Sequence, residues 1–399
     1  VESRTHRWIP EAVVDVLADV LRLEVAAGAT ILAGVVAALL WAGLDASGYD
    51  AFWNAAVEPS LFRAGALATR RDLVTSLAMT VFFLAIGLEI SRERTVGSLR
   101  DRSNAILPIA AALGGMAGAA MVYAIVAAAG DPSVARAWGV PMATDVAFTL
   151  GVLALLGRRV PSSLRVLLLT IAVADDVASV VVLAVVSGRT PSFAWLAAAL
   201  AILAIAGVCA SRKVPSIALW VVLCVALWCA FAAAGVEPPL AGAFVGALVP
   251  AGTARTPGVR IERVANPVST WLVLPAFALA TCGISFATSL NAPGASVIIG
   301  GIVAARTVGK VVGILGGIAI ARGLGVHLPD ELRHADLVGG ALLCGIGLTV
   351  PLLFAGNAFG LGSPRFQSSL LGLFAASVVA AGLGLGVLRW ALWRPPRTR

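Results

Sequence analysis

The sequence predicts an all-α polytopic membrane protein. Its expected architecture has about 12 transmembrane helices, each needing roughly 20 apolar residues to cross the hydrocarbon core. Three observations carry this reading. Mean hydropathy is +0.96 and only 13% of residues are charged, about half the share in soluble chains. Apolar runs of span length recur along the whole chain. Two of those runs are interrupted by glycine and proline in corresponding places.

The expected spans are 24–44, 73–91, 105–129, 135–156, 164–187, 193–211, 214–235, 239–250, 267–287, 295–321, 336–358 and 367–393. The eighth is too short to cross alone in a regular way. Residues 1–23 read as a cytoplasmic amphipathic leader, because Ile9, Val13, Val16, Leu17, Val20 and Leu21 recur at helical spacing. Glu11, Asp15, Asp19, Arg22 and Glu24 break up any apolar core of a cleavable signal. Residues 24–393 form one transmembrane unit, and 394–399 a basic cytoplasmic tail. Between the first two spans, 58–72 holds Pro59, Gly65 and three arginines. It is too polar for lipid and reads as a small external β-hairpin or loop.

Basic residues set the orientation. Alternate loops carry Arg92 and Arg94, then Arg158, Arg159 and Arg165, then Arg212 and Lys213, then Arg255, Arg260 and Arg263, then Arg322 and Arg333. With Arg4 and Arg7 near the start and Arg394, Arg397 and Arg399 at the end, both termini are expected in the cytoplasm. The first external loop, with Arg63, Arg70 and Arg71, is the exception. The net charge of +8 lies between apolar runs rather than on one amphipathic face, which argues against nucleic acid. The five cysteines all lie in apolar segments without metal spacing and read as small buried hydrophobes. No cofactor and no enzymatic activity are expected.

The fourth span reads Trp138-Gly139-Val140-Pro141-Met142-Ala143-Thr144-Asp145, and the eleventh Cys344-Gly345-Ile346-Gly347-Leu348-Thr349-Val350-Pro351. Glycine and proline weaken a helix and free backbone groups. Within a bilayer such groups persist only where protein or a wet cavity satisfies them. Each interrupted span is the middle one of three, over 105–187 and 295–393. That arrangement predicts inverted three-helix repeats whose two broken helices cross at the membrane midplane.

Charges in the apolar runs locate the chemistry. Asp175 and Asp176 lie side by side inside Val166–Val186, and Lys310 inside the tenth span. Such charges are costly in lipid and usually line an ion path. Carboxylates suit hard cations such as sodium. On a helix these two point about 100° apart, so only one aims straight at a given ion. Neighbouring carboxylates titrate as a coupled pair. Lys310 either pairs with one of them or offsets the carbonyl ends of the broken helices. Asp145, with Thr144 beside it, either compensates the helix N-termini or ligates the ion directly. Arg306 lies one turn before Lys310, and Glu89 is its candidate partner, although Glu89 and Glu93 also read as a surface cluster with Arg92 and Arg94.

At these residues the chain resembles the NhaA-type sodium/proton antiporters of bacteria. The strings are Phe82-Phe83-Leu84-Ala85-Ile86-Gly87-Leu88-Glu89, Ala143-Thr144-Asp145-Val146-Ala147-Phe148, Asp175-Asp176, Val308-Gly309-Lys310 and Cys344-Gly345-Ile346-Gly347-Leu348-Thr349, in the family's order. The resemblance runs from about residue 24 to 393. It implies electrogenic export of Na+, and of Li+, in exchange for external protons by alternating access in the bacterial cytoplasmic membrane. Asp175 and Asp176 would form the cation and proton site, with Lys310 interacting with the first, and Thr144 and Asp145 in the unwound stretch. Glu89, Glu93 and Glu262 match positions associated with the cytoplasmic funnel and pH response. The 58–72 hairpin matches one that contributes to a homodimer. The chain departs from the family at Glu237, where a histidine is frequent, at Ser76, which replaces an aspartate, and at Arg306, an extra charge. A sodium-coupled solute symporter of similar repeat shape is the competing reading. It needs a roomy polar pocket, whereas the intramembrane polar groups here concentrate on the carboxylates. An intramembrane aspartyl protease would need a Gly-x-Gly-Asp string, which the sequence lacks.

Overall fold

The computed structural model describes residues 11–57, 69–95, 102–157, 160–186, 192–252, 256–326, 328–329 and 331–393. The described chain is nearly all helical, as an apolar solvent demands of every backbone amide. In order, the helices are α1 (Glu11–Leu44), α2 (Ala46–Trp53), α3 (Arg70–Thr95), α4 (Arg102–Gly130), α5 (Val146–Ala154), α6 (Ser162–Val186), α7 (Phe193–Ser211), α8 (Ile217–Ala234) and α9 (Leu240–Leu248). Then follow α10 (Pro257–Val268), α11 (Leu274–Thr281), α12 (Phe286–Asn291), α13 (Ala295–Ala304), α14 (Lys310–Gly323), α15 (His334–Leu343), α16 (Thr349–Phe359) and α17 (Pro364–Trp393). Among the described residues eight helices are long and apolar enough to cross a membrane, or nine if α1 and α2, bent by 118° at Asp45, count as one span. The protein is thus an all-α polytopic membrane protein. The shorter α9, α15 and α16 bury most of their residues within the bundle, and α5 nearly half.

Several boundaries differ from the sequence reading. α1 runs unbroken through residues 23 and 24, so leader and first span share one helix. The ninth span is not 267–287. It begins at Pro257, whose preset φ suits a first helical position, and ends at Thr281. Arg260, Glu262 and Arg263, expected in a loop because they are charged, therefore lie on α10. A π turn, Ser269–Val273, joins α10 to α11 between Pro267 and Pro275, whose rings clash with the carbonyls four residues back. The fourth span starts at Pro132 rather than 135 and is broken where its glycine and proline lie. A 3-10 helix, Pro132–Gly139, is followed by non-helical chain to Asp145. Most of the 58–72 hairpin lies outside the described residues; the antiparallel bridge Ala56–Thr69 brackets it, and Arg70 already begins α3. The 394–399 tail and the side chain of Glu93 also lie outside them.

Small residues let two helix pairs meet backbone to backbone. Gly114 and Gly118 of α4 face Gly309, Gly313 and Gly317 on the α14 side. Gly87 of α3 meets Gly246 of α9, and Gly242 of α9 meets the Thr80 backbone of α3, in the same way. In lipid this close approach supplies the packing that a hydrophobic drive cannot. A Cβ at Gly313 would overlap the Gly114 carbonyl, whereas one at Gly316, on the same helix, meets nothing within 4 Å. Gly313→Ala is therefore expected to destabilise by about 1–3 kcal/mol, the range of overpacked cores. Gly316→Ala should be neutral or slightly stabilising. Thermal unfolding in detergent checks both, and equal melting temperatures for the two variants would show that α4 and α14 do not meet this closely.

Candidate cation site at two helix breaks

The interruptions foreseen in the sequence fall at Val140–Asp145 and Cys344–Leu348, and the tertiary fold brings them together. Freed backbone groups of one break are satisfied by the other. The Asp145 amide donates to the Ile346 carbonyl at 3.0 Å. The hydroxyls of Thr144 and Thr149 donate to the carbonyls of Cys344 and Leu343 at 2.9 and 3.1 Å.

Charged side chains complete this crossing. Arg306 is fully buried, and its guanidinium donates to the carbonyls of Gly345 (3.0 Å), Gly347 (2.8 Å) and Ala143 (2.7 Å). It thus meets partial negative charge from both breaks. Its partner is not Glu89: Arg92 lies 3.8 Å from that carboxylate instead. The π turn Ala305–Gly309, which holds Arg306, sits where α13 passes the crossing. Asp145 occupies the opposite polarity. Its carboxylate accepts from the Phe148 amide (3.4 Å), at the start of α5, and from the Thr349 hydroxyl (3.1 Å), at the start of α16. A carboxylate shared by two helix N-termini is favourably placed.

The adjacent aspartates of α6 take different surroundings, as their angular separation requires. Asp175 is fully buried. Its Oδ2 lies 2.9 Å from Lys310 Nζ and accepts from the Thr144 amide at 2.6 Å. Lys310 Nζ also donates to the Met142 carbonyl. Lys310 therefore meets a carboxylate and a carbonyl end at once, so its two sequence-level alternatives are both occupied. Among the described residues Asp175 Oδ1 has no hydrogen-bond partner. Removing one member of a buried pair strands the other's charge. Lys310→Ala is accordingly expected to lose several degrees of melting temperature, and Lys310→Arg to keep more of it, despite the guanidinium's different shape. Equal melting temperatures for the two variants would show that the charge at this position is not used.

Asp176 faces a cavity of ≈ 220 Å³, lined also by Thr144, Asp145, Ser269, Thr270, Glu262 and Glu89. Asp175 does not line it. On its wall Arg92 bridges Glu262 at 2.7 Å, with side chains 41% and 14% exposed. Asp176 is 7% exposed. The cavity wall thus joins a charged, more accessible cluster and a buried carboxylate with oxygen donors that suit a hard cation.

The sequence model of the Na+/H+ antiporter 1 family matches residues 18–388. The chain belongs to that family. It is 36% identical, over 94% of its length and 84% of the relative's, to the Na+/H+ antiporter NhaA 2 of Kineococcus radiotolerans. It is 35% identical to the NhaA antiporter of Serratia proteamaculans, over 96% of this chain and all of the relative. With the NhaA antiporter of Thermobifida fusca it shares 37% identity over 93% of both chains.

For a member of this family, the fold gathers most residues singled out in the sequence. Thr144, Asp145, Asp175, Asp176 and Lys310 surround the two breaks. Glu89 and Glu262 lie on the more accessible part of the cavity wall. Sequence reasoning missed Arg306 as the partner of the broken ends and missed Ser269, Thr270 and Asn266 as cavity lining. For Arg306 a signal existed: a cation in an apolar helix needs acceptors, and the two breaks supplied free carbonyls. The hydroxyls gave none, because serine and threonine are unremarkable in membrane helices.

Proposed function

We propose that the protein is an electrogenic antiporter that exports Na+ in exchange for external protons, working by alternating access at Asp175 and Asp176. The observation that carries this reading is the division of labour between the two. Asp175 is held by Lys310, while Asp176 faces the cavity. A cation arriving past Glu262 meets Asp176 first. Its charge then displaces Lys310 from the Asp175 carboxylate; Asp176 gives up its proton, and the released Lys310 ammonium gives up a second, as one ion settles between the two carboxylates. Release of more protons than sodium ions bound moves net charge in each cycle. Li+ asks for the same oxygen donors and is a second substrate. The two triplets over 105–187 and 295–393 act as inverted repeats, with the crossing near the membrane midplane. The protein sits in the bacterial cytoplasmic membrane with both termini inside. It pairs as a homodimer through the 58–72 hairpin, and Glu89, Glu93 and Glu262 form the funnel through which pH acts.

The cavity size bears on the competing symporter. Organic ligands occupy sites of roughly 300–1,000 Å³, and this cavity, at ≈ 220 Å³, better fits a cation with its remaining water. The test is proton flux in proteoliposomes containing the purified protein. Na+ and Li+ should each collapse an imposed proton gradient, with K+ inert, and an imposed membrane potential should change the rate. Sodium-independent flux would overturn antiport, and indifference to potential would overturn the electrogenic part.

A further inference from the structure

We infer that Ser269 and Thr270, with Asn266 before them, form a second set of cation ligands on the cavity wall that replace hydration water as the ion approaches Asp176. This rests on the antiport reading and extends it to the α10 side of the cavity. Glu262, Asn266 and Thr270 follow one another at i,i+4 spacing, so they share one helix face, and all three line the cavity. Ser269 and Thr270 are 5% and 7% exposed. Among the described residues no hydrogen bond reaches either hydroxyl, and neither oxygen is among the fully enclosed polar atoms that lack a partner. Both residues belong to the π turn Ser269–Val273, whose wider winding lets two consecutive residues reach the same cavity. The turn is tied to α1 through the Thr270 carbonyl, which accepts from the Thr30 hydroxyl at 2.7 Å. The Thr270 hydroxyl is left to the cavity.

The chemistry of these groups fits the task. A hard cation leaving water needs replacement oxygens. Neutral hydroxyl and amide oxygens supply them without a charge that would trap the ion short of the carboxylate. Sites on a conduction path must bind strongly enough to admit an ion and weakly enough to release it. The stripe from Glu262 to Thr270 is graded in that sense, from a charged residue to neutral donors.

Substitutions that separate polarity from shape test this. Thr270→Val keeps the shape and removes the hydroxyl; Thr270→Ser keeps the hydroxyl and removes the methyl. The Na+ concentration for half-maximal exchange should rise roughly three- to tenfold in Ser269→Ala/Thr270→Val, the scale of one lost polar contact. Thr270→Ser should stay near wild type. Leu272→Ala, in the same turn but 65% exposed on the outer face, serves as the control. A packing role predicts the reverse order, with Thr270→Ser the worse variant, and that order would overturn the inference, as would a half-maximal concentration unchanged in the double variant. Calorimetric titration of the purified protein with NaCl keeps the two readings apart. If the wild type binds Na+ without exchanging it, antiport fails, while a three- to tenfold weaker Kd in the double variant still supports these ligands. An unchanged Kd overturns them.

Discussion

Asp176→Asn should abolish Na+-dependent proton flux without unfolding the protein. The side chain faces the cavity and is 7% exposed. A unit-charge contact at ~4 Å and an effective dielectric of ~20 amounts to about 4 kcal/mol, roughly a thousandfold in affinity. An amide oxygen offers only a partial charge and no titrating proton. Asparagine keeps the shape of the side chain, so the protein should still fold. Asp175→Asn has a further effect on stability. It leaves Lys310, 1% exposed, without its carboxylate, and is expected to lower the melting temperature as well as the flux. Proteoliposome flux and thermal unfolding of both variants check the pair of outcomes. Wild-type flux in a folded Asp176→Asn protein would remove this residue from the site.

Arg306→Met should be the most destabilising of the single changes considered. Its guanidinium serves three carbonyls, two in one helix break and one in the other. Hydrogen bonds from a charged donor contribute about 1.5–3 kcal/mol each, and truncating one side of a buried polar network strands the other. A loss of about 3–5 kcal/mol is expected, the range for breaking buried charged pairs. Arg306→Lys should recover part of it, because a single ammonium cannot reach all three carbonyls with the fork geometry of arginine. Melting temperatures should order wild type, Arg306→Lys, Arg306→Met. If Arg306→Met melts with the wild type, the crossing is held without Arg306, by its backbone and threonine bonds, Lys310 and Asp145.

The local code of this protein was legible in its residues. Hydropathy period and length located the long helices, since a bilayer leaves the backbone no alternative to internal hydrogen bonding. Glycine and proline marked both breaks, because they remove a helix bond or the restraint that favours one. The carboxylates and the lysine stood out by their cost in lipid. What a one-dimensional reading could not supply was which break carbonyl meets which cation. Lys310 and Arg306 lie four residues apart, yet the π turn between them and the approach of two distant breaks send one to Asp175 and the other to Ala143, Gly345 and Gly347. The early start of α10 was hidden because Arg260, Glu262 and Arg263 look like loop residues until the helix is seen to present Glu262 to a cavity. Ser269 and Thr270 gained meaning only there, since a hydroxyl has no cost that betrays it in sequence. The residues thus determined which groups are buried and charged. Only the tertiary structure decided how they pair, because pairing depends on helix ends brought together across roughly 200 positions, such as Thr144 with Cys344.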